Sequence, residues 1–276
     1  MSIATTTAIA YQGEPGAYSE EALLRLFPDA RPVPCRTFAR AFDALSTGEV
    51  TRAVLPVENS LGGIVQEVND LLWGKPGLRV AGEVVHPIRH CLLGRARERP
   101  ARVISHPQAL AQCAGWLQAR GIEPVPFHDT AGAARQLAEW RQAGTAAIAS
   151  ATAAARYGLD VLARDIQDDD SNRTRFLVVE RGEPQRPETS EPGAKCSLAF
   201  VGAHRPGGLV EALRCFSERG VNLTRLDSRP IPDRPFQYKF YLDFELADPA
   251  AAGAALQALE DVAAEVRLFG SYPPVD

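Results

Sequence analysis

The run Leu78–Gly94, LRVAGEVVHPIRHCLLG, decides how the rest of the chain is folded. It is long, β-rich and set in the middle of a segment where strands and helices alternate. We read it as the passage of the chain from one α/β lobe into a second. The shorter run Phe176–Glu180, FLVVE, carries the chain back. Two lobes joined by two crossing strands enclose a cleft, which is where small ligands usually bind.

On the N-terminal side of that run, AIAYQG precedes YSEEALLRLF, PVPCR precedes TFARAFDALSTG, and RAVLPVEN precedes GGIVQEVNDLLW. On its C-terminal side, ARVISH precedes PQALAQCAGWLQARG and EPVPF precedes DTAGAARQLAEWRQAG. Strand then helix, repeated with short connections, predicts a largely parallel α/β sheet in each lobe. The expected lobes span roughly 8–85 plus the returning strand, and 90–175, within one domain over 8–181. Residues 182–194, rich in Pro, Gly, Glu and Arg, read as a linker. Residues 195–273 then follow the order βαββαβ, a ferredoxin-like α+β unit.

At 276 residues, with 45% hydrophobic and 23% charged residues, the composition is that of a globular protein with more than one core. A net charge of -4 gives no overall attraction to nucleic acid or an anionic membrane. The five cysteines are scattered and never form a C-x-x-C pair, so neither a disulfide framework nor a zinc site is expected. With no basic, apolar leader in MSIATTTAIAYQG, we expect a cytoplasmic protein. Only three residues are lysines, Lys75, Lys195 and Lys239, so anion handling is expected to fall to arginine.

Polar groups gather where strands meet helices. YQGEPGAYSEEAL places Tyr18 and Ser19 at a helix start, where unpaired N–H groups can hold an anion or Ser19 can cap the helix. In LPVENSLGGIV, an apolar strand ends on Glu58, Asn59 and Ser60, facing the crevice or capping the next helix. In VISHPQALAQC, Ser105 and His106 precede Pro107, and Gln108 and Gln112 fall four apart on one helix face. His106 reads equally as a base or a cap. His86 and His90 have a metal-like spacing only on a helix, which Pro87 opposes, so no metal or cofactor is expected. In IQDDDSNRTRF the three aspartates read as a solvated loop, and Thr174 enters the returning strand between two arginines. Arg175 offers a bidentate handle or a positive potential beside the Thr174 hydroxyl. Local physics leaves the role of Thr174 open.

Taken in order, GEPGAYSE, PVENSLGGIV, HPIRHCLL, SHPQALAQC, DTAGAA, AAIAS with YGL, IQD and NRTRF resemble the prephenate dehydratases. The tail, through RPGGLVEAL and LDSRP, resembles the ACT regulatory domain of that family. The resemblance implies a two-lobed catalytic domain like the type II periplasmic binding proteins, followed by a ferredoxin-like ACT domain. It implies a lyase that converts prephenate to phenylpyruvate by loss of water and carbon dioxide, with phenylalanine as effector and a homodimer or homotetramer as assembly. It makes Thr174 the donor to the departing hydroxyl, assisted by Arg175 and a poorly solvating Phe176, with Glu58, Asn59, Ser105 and Gln112 as orienting residues. Tyr18, Ser19, Ser60 and Gln108 would bind substrate. Gly207, Gly208, Leu209 and Val210 would bind phenylalanine together with Leu226, Asp227, Ser228, Arg229 and Pro230. Gly208 and Asp227 replace the family's usual Ala and Glu. The alternatives are an arogenate dehydratase and a small-molecule binding module without turnover.

Overall fold

The computed structural model describes residues 7–96, 99–140, 143–232 and 234–273; the first six residues, included in the leader reading, lie outside the described residues. The first alternation becomes β1 (Ala8–Gln12), α1 (Tyr18–Leu26), β2 (Arg31–Cys35), α2 (Phe38–Thr47) and β3 (Arg52–Asn59). β1 pairs in parallel with both β2 and β3, the pairing that helical crossovers impose. α2 shows the local logic. Thr37 accepts the Arg40 N–H at 3.1 Å at its start, Ala41, Phe42, Ala44 and Leu45 are buried, and Gly48 at φ 82° ends it in the left-handed region.

After β3 the chain does not enter the helix expected from Gly62. Asn59 Oδ1 accepts the N–H groups of Leu61 and Gly62 at 3.1 and 2.7 Å, closing a turn. β4 (Gly63–Ile64) then pairs antiparallel with Glu58 and Asn59, and α3 (Gln66–Gly74) begins only afterwards. Asn59 therefore closes a turn and does not open a helix.

The deciding run becomes β5 (Leu78–Pro87) and β6 (Cys91–Gly94), followed by β7 (Arg102–Ser105), α4 (Pro107–Gln112), α5 (Ala114–Gln118) and β8 (Glu123–Pro126). Next come α6 (Thr130–Trp140), β9 (Thr145–Ala149), α7 (Ala151–Tyr157), β10 (Asp160–Ala163) and the returning β11 (Arg173–Arg181). The strands form one sheet in the order β2-β1-β3-β11-β5, with β4 on β3, and a second in the order β10-β6-β9-β7-β8, where β6 runs antiparallel to both β10 and β9, so the sheet expected to be largely parallel is mixed. The single helix expected over 107–121 is broken at Cys113. Its second piece is capped by Asp168, whose carboxylate accepts the Gly115 and Trp116 N–H groups at 2.9 and 3.1 Å, so this aspartate is not merely solvated loop.

The C-terminal elements are β12 (Lys195–Val201), α8 (Gly208–Ser217), β13 (Leu223–Ile231), β14 (Arg234–Glu245), α9 (Pro249–Val262) and β15 (Glu265–Tyr272). They form an antiparallel sheet in the order β13-β14-β12-β15. Leu198, Phe200, Leu242 and Phe244 from the sheet meet Ala212, Phe216, Leu256 and Leu259 from the helices in one core. The aromatic strand FQYKFYLDFEL is internal; β13 and β15 are the edges. The expected linker is ordered in part. Pro187–Thr189 form a 3-10 turn, and Arg186 meets Glu188 and Glu260 at 2.8 and 3.2 Å.

Contacts divide the chain into two units, 1–65 with 85–176 and 66–84 with 177–276, and β5 and β11 each run from one into the other. Among the described residues no helix is long and apolar enough to cross a membrane.

Candidate active site

Within the first unit a cavity of about 240 Å³ is lined by Tyr18 and Ser19 from α1, Asn59 from β3, Gln108 and Gln112 from α4, and Thr174 and Phe176 from β11. Ile88, His90, His106, Asp129 and Thr130 also border it. Each group sits at or beside the end of a strand or helix, because the crossing strands bring both lobes' element ends to one crevice.

A continuous hydrogen-bond chain underlies the cavity. Asn59 Nδ2 donates to Thr174 Oγ1 at 2.9 Å and to Asn172 Oδ1 at 2.8 Å. Asn172 Nδ2 donates to Gln112 Oε1 at 3.0 Å, and His90 Nε2 lies 2.9 Å from the same oxygen. His90 Nδ1 lies 2.9 Å from the Tyr18 hydroxyl, which is 2.8 Å from the Arg89 carbonyl. The amide orientations follow from the partners. Asn59 Oδ1 is held by two backbone N–H groups, so its NH₂ must face Thr174.

Because Gln112 Oε1 can only accept, His90 donates from Nε2 and keeps a lone pair on Nδ1. Burial pushes the His90 pKa below its ordinary value, which keeps the ring neutral. Burial, and then the charge of Glu21, raises the Tyr18 hydroxyl well above its ordinary value, so Tyr18 stays a donor. The Thr174 oxygen accepts from Asn59, which leaves its own hydrogen to be given to a ligand.

Arg175, Glu58, Ser105 and Ser60 stand outside the cavity lining, whereas His106 borders it. Arg175 follows Thr174 on a strand, so it faces the opposite side of the sheet from Thr174 and Phe176 and does not line the cavity. Glu58 pairs with Ile64 and stands outside the lining. Ser105 is fully buried and donates to the Ile148 carbonyl at 2.6 Å, tying β7 to β9; it is not the helix cap. His106 caps α4, its Nδ1 accepting the Gln108 N–H at 3.2 Å. Ser60 accepts the Arg173 N–H at 2.9 Å and is exposed, clipping β11 to the turn after β3.

Ser19 does not cap α1, since the helix begins at Tyr18 and Ser19 lies inside it. Nothing local in sequence marks His90 and Asn172 as members of the polar chain, although they lie within HPIRHCLL and NRTRF. His86 instead meets Glu21 at 3.0 Å, apart from His90.

In the second unit, alternation along β13 divides LDSRP. Leu226 and Ser228 pair with Leu242 and Phe240, whose side chains join the core beneath α8 and α9, whereas Asp227 and Arg229 pair with Tyr241 and Lys239 on the other face. There Arg229 donates to Asp70 Oδ2 from Nε and Nη2 at 3.0 and 2.8 Å, and Lys239 Nζ lies 2.8 Å from Asp70 Oδ1. Arg229 and Pro230 border a cavity of about 720 Å³ with Asp70, Trp73, Arg234 and Lys239. Gly207, Gly208, Leu209 and Val210 are not in its lining, so this cavity does not join the two expected halves of the effector site.

The family model for prephenate dehydratase matches residues 9–184. The chain belongs to the prephenate dehydratase family. The ACT domain model matches residues 197–264, so this prephenate dehydratase family member carries an ACT domain at its C-terminal end. It is 46% identical over 279 residues to arogenate dehydratase/prephenate dehydratase 2 of Arabidopsis thaliana, covering 96% of this chain and 72% of that one. It is 45% identical over 284 residues to arogenate dehydratase 2 of Petunia hybrida, covering 96% and 71%. Among solved structures, the prephenate dehydratase of Arthrobacter aurescens in complex with L-Phe is 31% identical with a TM-score of 0.88, covering 97% of this chain and 90% of that one. A protein described as a novel type of quorum quenching acylase is 36% identical with a TM-score of 0.87, covering 97% and 98%.

Proposed function

We propose that this lyase converts prephenate to phenylpyruvate in phenylalanine biosynthesis, with its reaction centre at Thr174. The observation that carries this reading is the Asn59 to Thr174 hydrogen bond, which turns the threonine into a donor aimed at a ligand. The ring of prephenate becomes aromatic as carbon dioxide and water leave, so the driving force is intrinsic and the poor leaving group is the obstacle. Thr174 donates to the ring hydroxyl as its C–O bond breaks, and the electrons of the breaking carboxylate C–C bond enter the ring. The proton leaves with the water, and Asn59 Nδ2 stabilises the charge developing on Oγ1 until solvent reprotonates it.

Phe176 and Ile88 give a poorly solvating wall, which favours loss of charge from the departing carboxylate. Tyr18, Ser19, Gln108 and Gln112 orient the rest of the substrate. Asn59 takes the assisting place expected of Arg175. The arogenate reading is kept beside that of prephenate, since the relatives include enzymes named for both substrates. Amide hydrolysis would need a base to take the Thr174 proton, and the Oγ1 partner found is an amide donor.

Phenylalanine is the proposed effector at the ACT domain, with Gly207–Val210 of one copy facing Leu226–Pro230 of another in a homodimer or homotetramer. The exposed Leu209, Val210 and Leu226 support such pairing. All five cysteines are free and buried, which supports a reducing compartment, and the cytoplasm is our reading of it. Phenylpyruvate formation from prephenate by the purified chain tests the proposal; no product from either prephenate or arogenate would refute it.

A further inference from the structure

Among the described residues lining the candidate active-site cavity there is no arginine or lysine, and Asp129 is the sole carboxylate. That is a poor surrounding for a substrate bearing two carboxylates and no cation. Prephenate is such a molecule, whereas its aminated form replaces the side-chain keto group with an ammonium. The two histidines on the wall are already engaged by protein groups. His106 Nδ1 is occupied as an acceptor and His90 is neutral for the reasons given above.

Asp129 is held in place. It stands immediately before α6, its Oδ1 accepts the Gly132 N–H, its carbonyl accepts the Ala133 N–H at 3.2 Å, and its Oδ2 lies 2.9 Å from His128 Nε2. A carboxylate has about four acceptor positions, so these contacts leave capacity for one more donor. Its side chain is 28% exposed, dry enough for a charge contact to discriminate between ligands.

We propose that Asp129 is the specificity residue of this cavity and receives the α-ammonium of arogenate, so that the aminated acid is the preferred substrate. This rests on the dehydratase reading and deepens it. The like charge of Asp129 then disfavours the keto acid.

The test is the ratio of kcat/KM for arogenate to that for prephenate in the wild-type chain, Asp129→Asn and Asp129→Glu. Asparagine is as good a helix cap as aspartate, so Asp129→Asn keeps the start of α6 while removing the charge. The wild-type ratio should exceed one. It should fall about tenfold or more in Asp129→Asn, through a higher KM for arogenate and faster use of prephenate, and recover in part in Asp129→Glu. A wild-type ratio below one, or equal effects on the two substrates, overturns the proposal. Calorimetric binding of both acids to Thr174→Ala, with and without Asp129→Asn, separates it from the parent reading. If neither acid is turned over, the dehydratase reading fails, while tighter binding of arogenate that depends on Asp129 still sustains the proposal. Equal binding of both acids overturns it.

Discussion

Asn59 Nδ2 donates to Thr174 Oγ1 at 2.9 Å across 115 positions of chain. The turn that fixes Asn59 and the strand that carries Thr174 belong to separate elements, and both are needed to set the direction of one hydroxyl hydrogen. Removing either side of the pair gives different results.

Thr174→Ala deletes the donor and should lower kcat by about a hundredfold or more, with a smaller change in KM. Thr174→Ser keeps the hydroxyl and should lose much less. Asn59→Asp replaces the NH₂ by an acceptor, so the Thr174 hydrogen turns toward the carboxylate and away from substrate; kcat should fall about a hundredfold with the hydroxyl intact. Steady-state kinetics on folded variants checks all three, and near-normal kcat in Thr174→Ala would exclude the assigned role.

His90 should make the fold acid-sensitive. Its folded pKa lies below the ordinary 6.5 because the ring is buried, so between those two values the unfolded chain binds the extra proton and stability falls as pH drops. Below the folded value the dependence vanishes again. Calorimetric Tm measured from pH 8 to 5 should decline less steeply in His90→Asn than in the wild type. Parallel curves would show that His90 contributes nothing to the slope.

Asp70 neutralises two cations. Asp70→Asn leaves Lys239, 6% exposed, and Arg229 without their carboxylate, and should destabilise the chain by about 2 kcal/mol in urea unfolding. Burial alone would raise the Asp70 pKa, but Arg229 and Lys239 together hold it below the ordinary 3.8. Its stabilisation is therefore full above that value and is lost as pH falls through the lowered one. An unchanged urea midpoint would contradict this.

Gly208→Ala, which restores the motif usual in the family, should harm this chain. A Cβ there would stand 2.2 Å from the Ala203 carbonyl oxygen, so backbone must move at a cost of about 1 kcal/mol or more. The close approach of Ala203 supplies a packing reason for glycine at this position. Thermal unfolding of the variant, beside phenylalanine calorimetry, should show a lower Tm and no gain in affinity.

Pairing through the exposed apolar residues of α8 and β13 predicts at least a dimer by sedimentation, with Val210→Glu and Leu226→Glu shifting it toward monomer. Phenylalanine at millimolar concentration should bind and inhibit the wild type. A wild-type chain that sediments as a monomer at micromolar concentration would remove the paired-domain site.

Periodicity determines a good deal by itself. Alternating apolar runs and amphipathic segments have no stable solution except strands covered by helices, so the two α/β lobes, the two crossings and the βαββαβ tail could be read from residue order. Gln108 and Gln112 were legible as partners because helical spacing is local. Distance in space is not local. Arg175 is next to Thr174 in sequence, yet strand alternation sends it to the other face. Ser105 has the chemistry of a ligand group, yet its hydroxyl is consumed inside the sheet by Ile148. His90 joins the polar chain only because the crossing strand delivers it beside Tyr18 and Gln112. Which donors remain free to meet a substrate depends on which are already satisfied by distant partners, and only the tertiary structure decides that.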